Sequence, residues 1–363
     1  MDEELFMYVR TTLVPPILAL ISATLVVAVG LWITGISAAS VFSTLWFGAV
    51  GDSYRLSETA VKACPLLFTG LAVMLALRAG LWNIGAEGQL LFGALAAAWI
   101  GQHTATLPSP LAIGFVCTVS LSAGCLWAGG AAYLRQKHNV NEVISTIMLN
   151  FIAVYLVSYG VHGPFMEVAG QYPQTDPLPA AATLPRLFPP ARFHLGILLA
   201  LVMALLVWIF LFRTKAGFRL RATGANPTAA RFAGIAVERE IALAFLISGA
   251  LAGLAGGIEV SGVTQRVYEK FSPGYGYTAI AVALVGQRSP LGVVFAAIFF
   301  GALDAGASAV QRNVGVSSAL TSVIQAIVVL FLAAYSTETA QRLFRLYPVH
   351  PVRSLSEVEE RAA

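Results

Sequence analysis

The chain has 363 residues, 58% of them hydrophobic and only 11% charged, with a mean hydropathy of +0.78. A soluble domain carries about 25% charged residues and cannot enclose so many apolar side chains. Composition therefore excludes a soluble enzyme, a disordered chain and a disulfide scaffold, and indicates an all-α protein that crosses a membrane many times.

The sequence opens Met1-Asp2-Glu3-Glu4, the wrong sign for a secretory leader, and residues 1–13 are expected as a cytoplasmic tail. A helix crosses the hydrocarbon layer with about 20 mostly apolar residues. Ten segments qualify: 14–35, 60–78, 86–101, 111–134, 143–160, 194–212, 241–260, 278–287, 291–309 and 317–335. The expected count is about ten, within a range of eight to ten, since some segments are broken or half-length. The eighth is too short to span, and Gly286-Gln287-Arg288-Ser289-Pro290 interrupts it. Ten crossings put both termini on one side. With the N-terminus in the cytoplasm, fifteen of the 22 basic residues fall inside and seven outside, the asymmetry that the positive-inside rule requires. A single transmembrane domain is expected over 14–335, followed by a cytoplasmic tail 336–363.

Two connections stand out. Residues 161–193 hold seven of the 17 prolines and read as an external, partly extended loop. Residues 213–240 hold six basic and two acidic residues and form the largest internal loop. Within it, Gly224-Ala225-Asn226-Pro227-Thr228-Ala229-Ala230-Arg231-Phe232-Ala233-Gly234 encodes a short helix. Asn226 suits the N-cap, Pro227 the first helical position and Gly234 the stop. Ala229 and Ala230 are small enough to let another backbone approach. So short a helix must pack on its own membrane domain or on another protein; the alternative reading of the stretch is an ordinary connecting loop.

Glycines recur every four residues at Gly249, Gly253 and Gly257, and small residues at Gly301/Ala305 and Ala302/Gly306; such spacing lets helices approach closely in lipid. Polar groups at membrane depth are expensive and mark cavities or partners. Glu87, Glu142, Glu259 and Asp304 qualify. Glu142 reads as a helix-start residue, Glu259 as a span end that reaches water, and Asp304 as either a pathway group or an interhelical hydrogen bond. The densest cluster, Arg78 to Gln89, carries Gly80, Gly85 and Gly88 with Asn83, Glu87 and Gln89. It reads as a broken helix, which is tolerated only where protein buries it or water lines it; the alternative is a simple cytoplasmic turn. Phe271-Ser272-Pro273-Gly274-Tyr275-Gly276-Tyr277 is a similar interruption in the second half.

The four lysines never follow a glycine, so no P-loop is present. No zinc-protease helix, nucleophile elbow or paired-cysteine motif appears. Cys64, Cys117 and Cys125 lie in apolar stretches and read as packing. No catalytic residue and no metal site is expected, and no nucleic-acid partner.

Four stretches carry a resemblance: Leu81–Gln89, Asn139–Asn150, Gly224–Ile235 and Phe271–Gly276. Together they resemble the membrane permeases of bacterial ABC importers serving simple sugars, nucleosides and branched-chain amino acids, from about residue 60 to 335. The first-permease type of nucleoside uptake systems is the most similar subgroup. The resemblance implies a ten-helix domain in the bacterial inner membrane, in which Asn226 to Gly234 is the coupling helix that docks on an ATPase. Where the broader ABC permease loop often reads Glu-Ala-Ala, Thr228 here precedes Ala229-Ala230. It further implies a separate ATP-using subunit, a second, different permease and an external substrate-binding lipoprotein. No cofactor is bound by this chain. Asn83, Glu87, Gln89 and Asp304 are then expected near the pathway, with Tyr275 and Tyr277 offering rings to a base or sugar. The rival is an ion-coupled secondary transporter, whose relay Glu87 and Asp304 would supply.

Overall fold

The computed structural model describes residues 14–33, 35–316 and scattered positions from 322 to 331. The expected tails 1–13 and 336–363, and most of the expected span 317–335, lie outside the described residues. The chain divides into two compact units, residues 1–41 with 317–363 and residues 42–316.

The helices in chain order are α1 Val14–Ile33, α2 Ala38–Val50, α3 Ser53–Arg78, α4 Ala86–Gln102, α5 Ser109–His138, α6 Glu142–His162, α7 Leu195–Arg213, α8 Lys215–Ala225, α9 Pro227–Phe232, α10 Val237–Glu259, α11 Tyr275–Val285 and α12 Pro290–Val314. Six of them (α3, α5, α6, α7, α10 with its extension to Thr264, and α12) are long and apolar enough to cross a membrane. Among the described residues there is no β-strand. The protein is an all-α, multi-pass membrane protein.

Two boundaries differ from the hydropathy pattern. The expected span 14–35 corresponds to α1, and the uncharged residues beyond Gly35 (φ +75°), which belong to no expected segment, form the separate helix α2. Helix α3 starts seven residues before the apolar run. The Asp52 carboxylate accepts the Arg55 N–H at 2.8 Å and caps the helix there. Arg55 and Glu58 therefore ride on α3, ahead of the segment that hydropathy alone marks.

Two helices form the core of the 42–316 unit. The middle of α3 is enclosed on all sides. Helix α10 is clasped between α5 and α4 through glycine. A Cβ at Gly253 would strike Ser120 and Gly124 of α5, and one at Gly93 of α4 would strike Gly253 in turn. On α12, Gly301 lies against Thr59 and Ala63 of α3, and Gly306 against Leu45 of α2. The small-residue stripes thus serve backbone-to-backbone packing, which lipid favours because it adds dispersion contacts where no hydrophobic gain is available.

Residues 163–194 fold back over the end of α10. Thr175, Leu178 and Leu184 donate N–H bonds of 2.7–2.8 Å to Val267, Gln265 and Ser261, and a single 3₁₀ turn spans Ala180–Ala182. Basic residues collect at the other end of the unit. Arg78 Nε donates to the Arg288 carbonyl at 2.6 Å, and Arg78 and Arg221 both lie over the Phe212 ring, at 5.7 and 4.9 Å. Arg219 pairs with Glu240 at 2.7 Å, and Arg135 pairs with Glu142 in the first turn of α6.

A Gly253→Val variant is expected to accumulate less and to unfold at a lower temperature in detergent, because overpacking costs about 1–3 kcal/mol or more. Gly114→Val is the control, since a Cβ there meets nothing within 4 Å. Equal melting temperatures for the two would contradict the α10 clasp.

Candidate functional site

The first helix break runs from Ala79, which caps α3, to Gly85, which precedes α4. Gly80 sits at φ +77°, a conformation open to glycine without steric cost. Asn83 then turns inward. Its Oδ1 accepts from Gly85 N at 2.9 Å and from Gln89 Nε2 at 3.1 Å. Its Nδ2 donates to Gln89 Oε1 at 3.0 Å and to Ser248 Oγ at 2.8 Å. Ser248 in turn donates to the Ala72 carbonyl at 2.7 Å. Asn83 and Gln89 are therefore a closed amide pair that staples the break to α10 and α3. Both are buried, with every side-chain polar atom engaged inside the protein.

The second break begins where α10 relaxes into a π turn, Val260–Thr264. It continues through Gln265 and Lys270, at φ 57° and 59°, to Gly274 at φ 99°. Ser272 Oγ accepts from Gly274 N and Tyr275 N at 3.1 and 3.2 Å, which caps the start of α11.

The two breaks meet at Glu87. This carboxyl is 4% exposed and sits in the first turn of α4. Its Oε2 accepts Gly276 N, in the first turn of α11, at 2.7 Å, and Ser272 is its side-chain partner. A Cβ on Gly276 would collide with the Glu87 backbone, so the two helix starts touch directly. Orphan N–H groups and the positive dipole end of each helix favour a carboxylate at this junction. Asn150 of α6 completes it. Its Oδ1 accepts Gly88 N at 2.8 Å, and its Nδ2 donates to the Ile84 carbonyl at 2.9 Å and to Tyr277 Oη at 3.4 Å.

A cavity of about 410 Å³ opens on this junction, lined by Glu87, Leu91, Val157, Ser158, Ser272 and Tyr277 among others. Of the expected pathway residues, the structure thus brings Glu87 and Tyr277 to one cavity. Asn83 and Gln89 lie behind it as the staple. Tyr275 is buried and faces a second cavity, and Asp304 stands half-buried on α12 and lines neither. Sequence reasoning missed Asn150, Ser248 and Ser272 as members of the junction. Asn150 carried a signal, as a lone amide in an apolar span.

The basic end is tied to the first break. Gly224 of α8 lies backbone to backbone against Arg78, Ala79 and Gly80, with no room for a Cβ on Gly224. Asn226 Oδ1 then accepts Ala229 N at 3.0 Å and caps α9, with Pro227 in its first turn and Gly234, at φ +81°, ending it. Ala229 and Phe232 face outward, Phe232 at 91% exposure, whereas Ala230 is 3% exposed and packs inward. A substitution at Ala230 therefore perturbs packing, and the outward surface is that of Ala229, Arg231 and Phe232.

These features define a class: a multi-pass membrane protein whose broken helices meet in its interior and whose exposed short helix stands at one end. Residues 55–333 match the family described as the permease component of the branched-chain amino acid transport system, and the chain belongs to that family. It is 38% identical to the glucose ABC transporter permease protein TsgB13 of Haloferax volcanii, over 87% of this chain and 86% of that one. It is 37% identical to the guanosine ABC transporter permease protein NupP of Bacillus subtilis, over 89% and 93%. The guanosine ABC transporter permease protein NupQ of the same organism is 28% identical, over 69% and 80%. No solved structure matches. The chain is an ABC transporter permease, a transport subunit and not an enzyme.

Asn83→Leu is expected to lower the melting temperature clearly, because Gly85 N–H, Ser248 and the Gln89 amide lose their partner, at about 1–3 kcal/mol for each buried group left unpaired. An unchanged melting curve would show that the staple does not hold the break.

Proposed function

We propose that the chain forms one half of the translocation pathway of an ATP-driven importer for a nucleoside or a simple sugar in the bacterial inner membrane. The observation that carries this reading is the exposed helix α9. It stands at the basic end of the 42–316 unit and is joined through α8 and the Gly224–Gly80 contact to the first break. In this reading 14–335 is the permease domain, with about ten spans and with cytoplasmic tails 1–13 and 336–363. The basic end with loop 213–240 faces the cytoplasm, as the positive-inside rule favours, and residues 161–193 face outward.

The ATPase is a separate subunit, and this chain binds no cofactor. Gly224, Asn226, Pro227, Ala229, Ala230 and Gly234 build the coupling element, of which Phe232 and Ala229 touch the ATPase. The names NupP and NupQ, two guanosine permeases of one organism, support pairing with a second, different permease. An external lipoprotein delivers the solute to the far end. ATP binding closes the ATPase, α9 moves with it, and the Gly224–Gly80 contact shifts the break that carries Glu87. The pathway switches because each state of the ATPase favours one state of the spans. Glu87 and Tyr277 line the pathway, Tyr275 flanks it, and Asn83, Gln89 and Asp304 act around it.

Phe232→Asp is expected to leave the chain inserted and paired with the second permease, yet to abolish uptake of tritiated guanosine and radiolabelled glucose and to release the ATPase on purification. Uptake at the wild-type rate would remove the docking role.

A further inference from the structure

A second cavity, of about 510 Å³, lies at the end of the unit opposite α9. Lys62, Arg192, Glu259, Arg266, Lys270 and Tyr275 line it. Lys62 is 16 residues from Arg78 along α3, about 24 Å at 1.5 Å per residue. The cavity shares Lys270, Phe271 and Pro273 with the Glu87 cavity, so one segment forms the wall between them. Glu259 closes α10 just where the helix widens into its π turn, a distortion frequent at functional sites.

Glu259 is 7% exposed, and no described residue donates a hydrogen bond to its carboxylate; Lys62 and Arg192 act on it through charge alone. A buried carboxylate with unused acceptor capacity is costly unless something fills it. The surroundings are close to neutral. Arg192 reaches Glu58 at 3.4 Å and Arg266 reaches Glu167 at 3.5 Å. Four cations thus face three carboxylates, and an anionic solute would meet Glu259 head on. A neutral polyol suits the set better. Its hydroxyls donate to a carboxylate, their oxygens accept from ammonium and guanidinium groups, and its apolar face packs on a ring. The volume falls in the range of small-molecule sites.

We propose that this cavity is a polyol subsite in which Glu259 accepts the hydroxyl protons of a vicinal diol, while Lys62 and Arg192 donate to the same oxygens. The proposal rests on the importer reading and names where the sugar part of the solute first engages this chain.

The test is equilibrium binding of tritiated guanosine and radiolabelled glucose to the complex of this chain with its second permease and ATPase, without the binding protein. Glu259→Gln is expected to weaken binding about tenfold, equivalent to about 1.4 kcal/mol, and Glu259→Asp to restore most of it. Lys62→Met is expected to weaken binding as well, and it decides the matter if the Gln variant fails to assemble. Binding unchanged in the variants, or no binding of either probe by the wild type, overturns the subsite. Uptake of the same probes by the full importer reads the transport assignment separately: uptake with unchanged binding in the variants sinks the subsite alone, and absent uptake sinks both.

Discussion

In a hydrocarbon layer every backbone N–H and C=O must find a partner within the protein, and an unpaired group costs several kcal/mol. The two helix breaks of this permease are possible because buried side chains meet that demand. Asn83 takes Gly85 N–H, Asn150 takes Gly88 N–H and serves the Ile84 carbonyl, and Glu87 takes Gly276 N–H from the other break. The polar residues that interrupt the apolar spans are thus the hydrogen-bond partners of the interruption. They also lock the breaks to each other, through the Glu87–Gly276 bond and the backbone contact beside it.

That lock gives the proposed transport cycle its mechanics. Close-packed glycine contacts transmit displacement without slack, because nothing soft lies between the backbones. Gly224 bears on the end of α3, and Gly276 bears on the start of α4. In the proposed cycle a push on α9 from an ATPase would reach the break that holds Glu87, and through it the start of α11. The cavities on either side of the 270–273 wall are the spaces such a movement would open or close. The chain needs no chemistry of its own for this, only two packings whose balance a partner shifts.

Much of this was legible in the sequence. Composition alone indicates a polytopic membrane protein, and the clusters at Gly80–Gln89 and Phe271–Tyr277 mark both breaks, since glycine with amide and carboxyl groups inside apolar stretches has few other uses. Asn226-Pro227 with Gly234 predicts the short helix closely. The inward turn of Asn83 and Gln89 was not legible, because their pairing depends on Ser248 and Ala72, remote in sequence. Nor was the inward side of Ala230, since six helical residues carry no readable periodicity. Glu259 reads as a span end that reaches water because nothing local announces that residues 163–194 fold over it.

The most direct test of the account is ATP-driven uptake in proteoliposomes by the full importer carrying Gly224→Val. The Cβ has no room against the Arg78 carbonyl and the Ala79–Gly80 backbone, so the link between α8 and the first break is forced apart while α9 keeps its outward face. ATP hydrolysis is expected to continue and uptake to stop. Uptake at the wild-type rate would contradict it.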